Sequence, residues 1–414
     1  MKKVLAFALV MSMMLSMTAA LSGCGSAQAA DLMSGVQANE VAEANLSAHT
    51  AAVTDFGVRL FQNSLSAEDT LVSPLSVLCA LAMTANGAKG ETLAQMEEVF
   101  GLSVEELNSY LHTYMEQLPN EKDYKLSMAN SIWFTEDERF TVEQSFLQTN
   151  ADYYGAAIYR SPFDQSTVKE INGWVKENTD GMIEEIIDVI PQNAVMYLIN
   201  ALAFEARWQE EYKKNQIRDG IFTEENGEQD EVELMYSEEN LYLEDSLATG
   251  FIKYYKDSAY AFVALLPNEG VTVADYAASL TGAHLNELLA NAQTVTVNAA
   301  IPKFESEYEI ELSEILERMG MSDAFDEDAA DLSGLGSSSA GNLFISEVLH
   351  KTFIEVNESG TKAAAVTEVT VADSCAVEPA ETKTVILDRP FVYLLIDCKT
   401  NLPFFIGTVM EAED

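Results

Sequence analysis

Just before its C-terminal segment, the chain carries a strand whose two faces differ sharply in chemistry. Read with a strand's period of two, the odd positions are Thr361, Ala363, Ala365, Thr367, Val369 and Val371, all small or β-branched and none charged. The charges within this stretch, Lys362 and Glu368, both fall on the even face. As a strand of about eleven residues it would span roughly 36 Å, long beside the usual range of roughly 3–10 residues. Yet Ala372-Asp-Ser-Cys-Ala-Val-Glu-Pro-Ala-Glu-Thr-Lys383, which follows, has loop composition. A strand fit for the middle of a sheet is thus tied directly to an exposed loop, and any fold must account for both.

The flanking residues narrow the choice. His350-Lys-Thr-Phe-Ile-Glu-Val-Asn-Glu-Ser-Gly-Thr-Lys-Ala-Ala-Ala365 resembles the hinge of the serpins, the loop-inserting protease inhibitors. Val385-Ile-Leu-Asp-Arg-Pro-Phe-Val-Tyr-Leu-Leu395 is similar to the segment that follows their reactive loop. The resemblance continues through Ser73-Pro-Leu-Ser76, Asn86-Gly-Ala-Lys-Gly-Glu-Thr92, Ala129-Asn-Ser-Ile-Trp-Phe134 and Leu198-Ile-Asn-Ala-Leu-Ala-Phe-Glu-Ala-Arg-Trp208. Ala264-Leu-Leu-Pro-Asn-Glu-Gly270, Ile301-Pro-Lys-Phe304 and Pro403-Phe-Phe-Ile-Gly407 complete it. Each motif alone is weak, but their order and spacing over roughly 350 residues make chance a poor competitor. The resemblance implies a serpin-like α+β fold: a large mixed, mainly antiparallel central sheet, further sheets, surrounding helices, and a reactive loop able to insert as a central strand. Periodicity independently predicts helices over 53–63, 77–84 and 92–100, and strands over 195–204, 262–266, 295–301, 353–356 and 391–397. That mixture, without a regular βαβ order, favours α+β.

Lys2 and Lys3 precede an apolar run at 4–15, and Leu21-Ser-Gly-Cys24 follows, as in an export signal too short for a membrane span. Leu-Ser-Gly-Cys resembles a bacterial lipobox, which implies a lipidated Cys24 as the new N-terminus and a membrane anchor through that lipid. The expected organisation is a signal peptide at 1–23, a flexible Ala/Ser/Gln/Gly-rich tether at 24–45 and one domain over 46–414. The expected location is the cell envelope or cell surface, with release as an extracellular protein the other outcome. The formal net charge of −44 is dispersed, which keeps the surface solvated and excludes nucleic acid as a partner. Nothing in the pattern calls for an oligomer, and a monomer is expected. With Cys24 set aside, Cys79 and Cys398 read as small core residues and Cys375 falls in the loop, so no disulfide framework is expected.

Enzyme chemistry finds little support. The histidines are His49, His112, His284 and His350, and none forms a His-Glu-x-x-His zinc motif. No cysteine pair has metal spacing, and the loop at 334–341 contains no nucleophile elbow. We therefore expect neither metal nor cofactor. The resemblance instead implies that His350 joins Ser73, Ser76 and Asn200 in a hydrogen-bonded cluster beneath the point where the main sheet opens. It likewise places Trp208 at the top of that sheet.

The activity so implied is suicide inhibition of a serine protease. The protease attacks the loop and forms an acyl-enzyme, and the cut loop then inserts, dragging the enzyme along. Hinge positions are Glu358, Gly360, Thr361, Ala363, Ala364 and Ala365; the inward face continues through Thr367, Val369 and Val371. An unpaired charge on that face would cost several kcal/mol. The family register puts the scissile bond at Ser374–Cys375, with Ala376 and Val377 as alternatives because the loop is longer than in common animal members. No Lys or Arg lies between Asp373 and Pro379, so a small apolar primary pocket is expected, as in elastase-like or subtilisin-like enzymes. Cys375 reads as an inert exposed thiol or an oxidation-sensitive one. The competing reading is a non-inhibitory serpin-fold protein that binds a partner or is merely cleaved.

Overall fold

The computed structural model describes residues 29–136, 140–191, 194–339, 341–361 and 382–412. Cys24, loop positions 363–371 and the reactive-bond residues Ser374, Cys375, Ala376 and Val377 lie outside the described residues.

A seven-stranded sheet is built from β1 (Ala30–Asp31), β2 (Tyr124–Thr135), β3 (Ala157–Ser161), β4 (Met196–Arg207), β5 (Phe304–Glu311), β6 (Glu347–Val356) and β7 (Gly360–Thr361). Their spatial order is β1-β3-β2-β4-β7-β6-β5. A nine-stranded sheet, which includes Ala248–Tyr254, Tyr260–Pro267, Phe391–Asp397 and Pro403–Val409, packs behind it, and a two-stranded sheet pairs Phe140–Val142 with Gly336–Ser338. Between the two large sheets runs a helix in which every residue is buried, α2 (Pro74–Ala85), preceded by α1 (Thr50–Ser64). Ser73 caps α2 through its side chain and Pro74 takes the first helical position, where its missing N–H costs nothing. The other face of the first sheet is covered by α3 (Gln165–Asn178), which sets Val168, Ile171 and Val175 down on Tyr197, Ile199 and Ala201. With both faces covered, β4 is buried along nearly its whole length, whereas β6 alternates strictly. The architecture is α+β, and the helices expected from periodicity lie inside Thr50–Ser64, Pro74–Ala85 and Gly90–Phe100.

The tether needs correction over 29–45. Ala30 and Asp31 pair with Arg160 and Tyr159 on β3, and the Leu32 amide continues the pairing to the Ile158 carbonyl at 2.9 Å. Further on, the Asn39 amide donates to Asp152 at 2.7 Å and the Ala44 amide to Thr113 at 2.8 Å. Leu32, Met33 and Val36 pack on the core, so a few apolar side chains in a polar stretch hold the segment down and cover the edge of β3. Cys79 is buried as expected, while Cys398 is only half-buried, in the turn after Phe391–Asp397.

Candidate functional site

The first sheet is a fork. Below its upper end β4 and β6 pair directly in parallel, from Tyr197↔Glu347 to Ala203↔Phe353. At the top the two strands part, and β7 sits between them, Thr361 opposite both Ala206 and Val356 and Gly360 opposite Arg207. Thr361 is fully buried, and its hydroxyl lies 2.6 Å from that of Tyr255. Ala206 and Val356 belong to the main core, so Thr361 points inward. Gly360 is required sterically: a Cβ there would stand 2.0 Å from the Ala206 carbonyl oxygen, so close approach accounts for it better than flexibility.

The turn leading into β7 is held from several sides. The Trp208 indole N–H donates to the Asn357 carbonyl, the Trp208 amide to Ser359 and the Tyr212 amide to Glu358, each at 2.9 Å. Trp208 itself is fully buried and stacks on Tyr255 with ring centroids 4.4 Å apart. The Glu358 carboxylate pairs with Lys303 at 3.0 Å, and Lys303 also reaches Glu233 at 2.7 Å. Burial raises the Glu358 pKa, but its own backbone amide and the Lys303 ammonium outweigh that and hold it below the ordinary value.

Lower down, a fully buried polar network crosses the seam. His350 on β6 and Asn200 on β4 face each other, with Nδ1 to Oδ1 at 2.5 Å. The Ser73 amide donates to His350 Nε2 at 3.0 Å, so Nε2 is the unprotonated nitrogen and Nδ1–H donates to Asn200. The Ser76 hydroxyl donates to the same Asn200 oxygen at 2.9 Å, and the Asn200 amide donates to Asn130 on β2 at 2.7 Å. Three strands and the N-terminus of α2 are thus tied by one network, satisfied within the protein. Opening the sheet between β4 and β6 must break the His350–Asn200 bond.

Residues 51–412 match the family Serpin (serine protease inhibitor). The chain belongs to the serpin family. Among its relatives, leukocyte elastase inhibitor A of Mus musculus is 31% identical over 382 residues, 87% of this serpin and 98% of that protein. The crystal structure of Tengpin, a thermophilic serpin, in the native state matches with a TM-score of 0.89 at 51% identity, covering 93% of this chain and 100% of that one. The latent-state structure of Tengpin gives 0.80 at 48% identity over 91% and 100%. This serpin thus matches that native-state structure better than the latent-state one.

Ser73, Ser76, Asn200 and His350 are brought together at the seam of this serpin, and Glu358, Gly360, Thr361 and Trp208 at the fork above it. Sequence reasoning missed Lys303, Tyr255, Tyr212 and Asn130. Asn130 sits inside a strand pattern and Lys303 and Tyr255 lie beside strands, while Tyr212 falls in a charged stretch with no strand pattern, and partners so distant in sequence leave no local signal.

Burial pushes the His350 pKa down to about 3 from 6.5. Between those values the unfolded chain binds a proton that the folded one refuses. The group's contribution is therefore present above pH about 6.5 and is lost as pH falls toward 3, at up to about 1.4 kcal/mol per pH unit. We expect the stability gap between this serpin and its His350→Gln variant, measured by urea unfolding, to narrow as pH falls through that window. A gap independent of pH would mean that the imidazole is not held neutral.

Proposed function

We propose that this serpin is a loop-inserting suicide inhibitor of serine endopeptidases with small primary pockets, elastase-like or subtilisin-like. The observation that carries the proposal is the fork: the hinge residues Gly360 and Thr361 already form the first rung of a strand between β4 and β6. Carried along the same register, an inserted loop would set Thr367 between Asn200 and His350, Val369 between Leu198 and Val348, and Val371 between Met196 and Ser346. Odd positions then meet the even, core-facing residues of β4 and β6. Met196 is the first residue of β4, so the rung at Val371 is the last the sheet offers, and Asp373 falls beyond it.

In this reading the protease serine attacks the carbonyl at the scissile bond, Ser374–Cys375 or a bond as far on as Val377–Glu378. The amine of the following residue leaves with a proton, and the loop carries the acyl-enzyme as it inserts. Insertion exchanges the parallel β4–β6 ladder for two antiparallel ones, one on each side of the new strand. The mouse relative's name, leukocyte elastase inhibitor A, supports the small-pocket assignment. We further propose export, lipidation at Cys24, anchoring at the cell envelope or surface, and a monomeric inhibitor.

The test is to mix the protein with an elastase and with a subtilisin and to resolve the products on a denaturing gel. The expected outcome is a band near the summed mass, with the released C-terminal fragment weighed to locate the bond. Clean cleavage with no adduct across both enzymes would leave the non-inhibitory reading, a binding or substrate protein, in its place.

A further inference from the structure

Behind the hinge lies a largely buried ion pair that the inhibitory reading leaves unused. Lys253, on Ala248–Tyr254 of the nine-stranded sheet, is 3% exposed, and its ammonium lies 2.9 Å from the Glu239 carboxylate. The same ammonium stands over two aromatic rings, 4.4 Å from the centroid of Tyr212 and 5.2 Å from that of Trp208. Those rings meet edge to face at 6.5 Å. Glu239 also accepts from the Ser237 hydroxyl at 2.6 Å, and Ser237 lies 3.4 Å from the Tyr212 hydroxyl, closing the circuit.

A buried ion pair is weak evidence for stability, since apolar residues of similar size often do as well or better. Its geometry gives it another use. Trp208 and Tyr212 are the two residues whose N–H groups hold Asn357, Glu358 and Ser359. An ammonium pressed against both ring faces restricts both side chains at once, and in a dry site this attraction exceeds its value in water.

We propose that Lys253, fixed by Glu239, is a positioning residue for the loop hinge: it clamps Trp208 and Tyr212 in the one arrangement that keeps β7 seated between β4 and β6. Burial pulls the Lys253 pKa down, but the neighbouring Tyr212 and Glu239 oxygens outweigh it and hold it above the ordinary value, so the clamp is charged at neutral pH. The device rests on the inhibitory reading only for its purpose, not for its existence.

The experiment compares the full-length protein with Lys253→Met/Glu239→Leu, which removes both charges and leaves neither unpaired, and with Lys253→Arg, which keeps a cation over the rings. Hydrogen exchange at the amides of Trp208, Tyr212, Gly360 and Thr361 reports hinge seating without any protease. The double variant should exchange about tenfold faster at these four amides and not elsewhere in the sheet, with Lys253→Arg close to the parent. It should also consume several-fold more inhibitor molecules per elastase inactivated. Exchange unchanged at the four amides, or accelerated across the whole sheet, would overturn the proposal. Localised exchange in a protein whose parent traps no protease would keep the clamp and dismiss the inhibitory reading.

Discussion

Thr361→Arg is expected to convert the protein from an inhibitor into a substrate. The site is fully buried, and the hydrogen-bond partner of the Thr361 hydroxyl is the Tyr255 hydroxyl, a group that cannot neutralise a guanidinium. Arg must pull β7 out of the fork, so insertion starts from an unseated hinge. Insertion competes with hydrolysis of the acyl-enzyme, and about 2 kcal/mol added to the insertion barrier slows trapping roughly thirtyfold. The readout is the number of inhibitor molecules consumed per protease inactivated.

The register also dictates the control. Position 362 would pair beside Glu205 and Glu355, so Glu there would line up carboxylates across neighbouring strands. Lys362→Gln removes the charge without that repulsion and should leave the stoichiometry near that of the parent. Equal consumption by Thr361→Arg and Lys362→Gln would mean that the inward and outward faces are assigned wrongly.

Much of this was legible in the chain because it is local. The period-two alternation of 361–371 marks one face as uncharged, and Thr361, the first of those positions, lies in the core. Ser73 before Pro74 marks the start of α2, and the caps and apolar spacing mark the other helices. What periodicity could not give was depth. The even face of the loop looks fit for solvent, yet a strand inserted in register would bring Glu368 beside Ile199 and Leu349, under the apolar side of α3. That roof is built from residues near 168–190, and nothing in the loop's own sequence announces it. The segment at 29–45 failed for a related reason: a polar composition hides Leu32, Met33 and Val36, whose value depends on a sheet edge formed far along the chain. Nothing around Lys253 in the sequence marks it out, because only the fold brings Glu239, Trp208 and Tyr212 around it.

We propose that the native fold withholds a strand its sheet can accept, so that it is kinetically trapped and the cut form is more stable. Calorimetry of the protein before and after nicking within 373–377, by a metalloprotease that forms no acyl-enzyme, tests this most directly. The added strand would bury Val369 and Val371 at about 1.5–3 kcal/mol each and gain ladder hydrogen bonds at about 1 kcal/mol each. At roughly 1–2 °C per kcal/mol for a chain of this size, the thermal midpoint should rise by about 10 °C or more on nicking. A midpoint that stays where it was, or falls, would contradict insertion and with it the account of the fork.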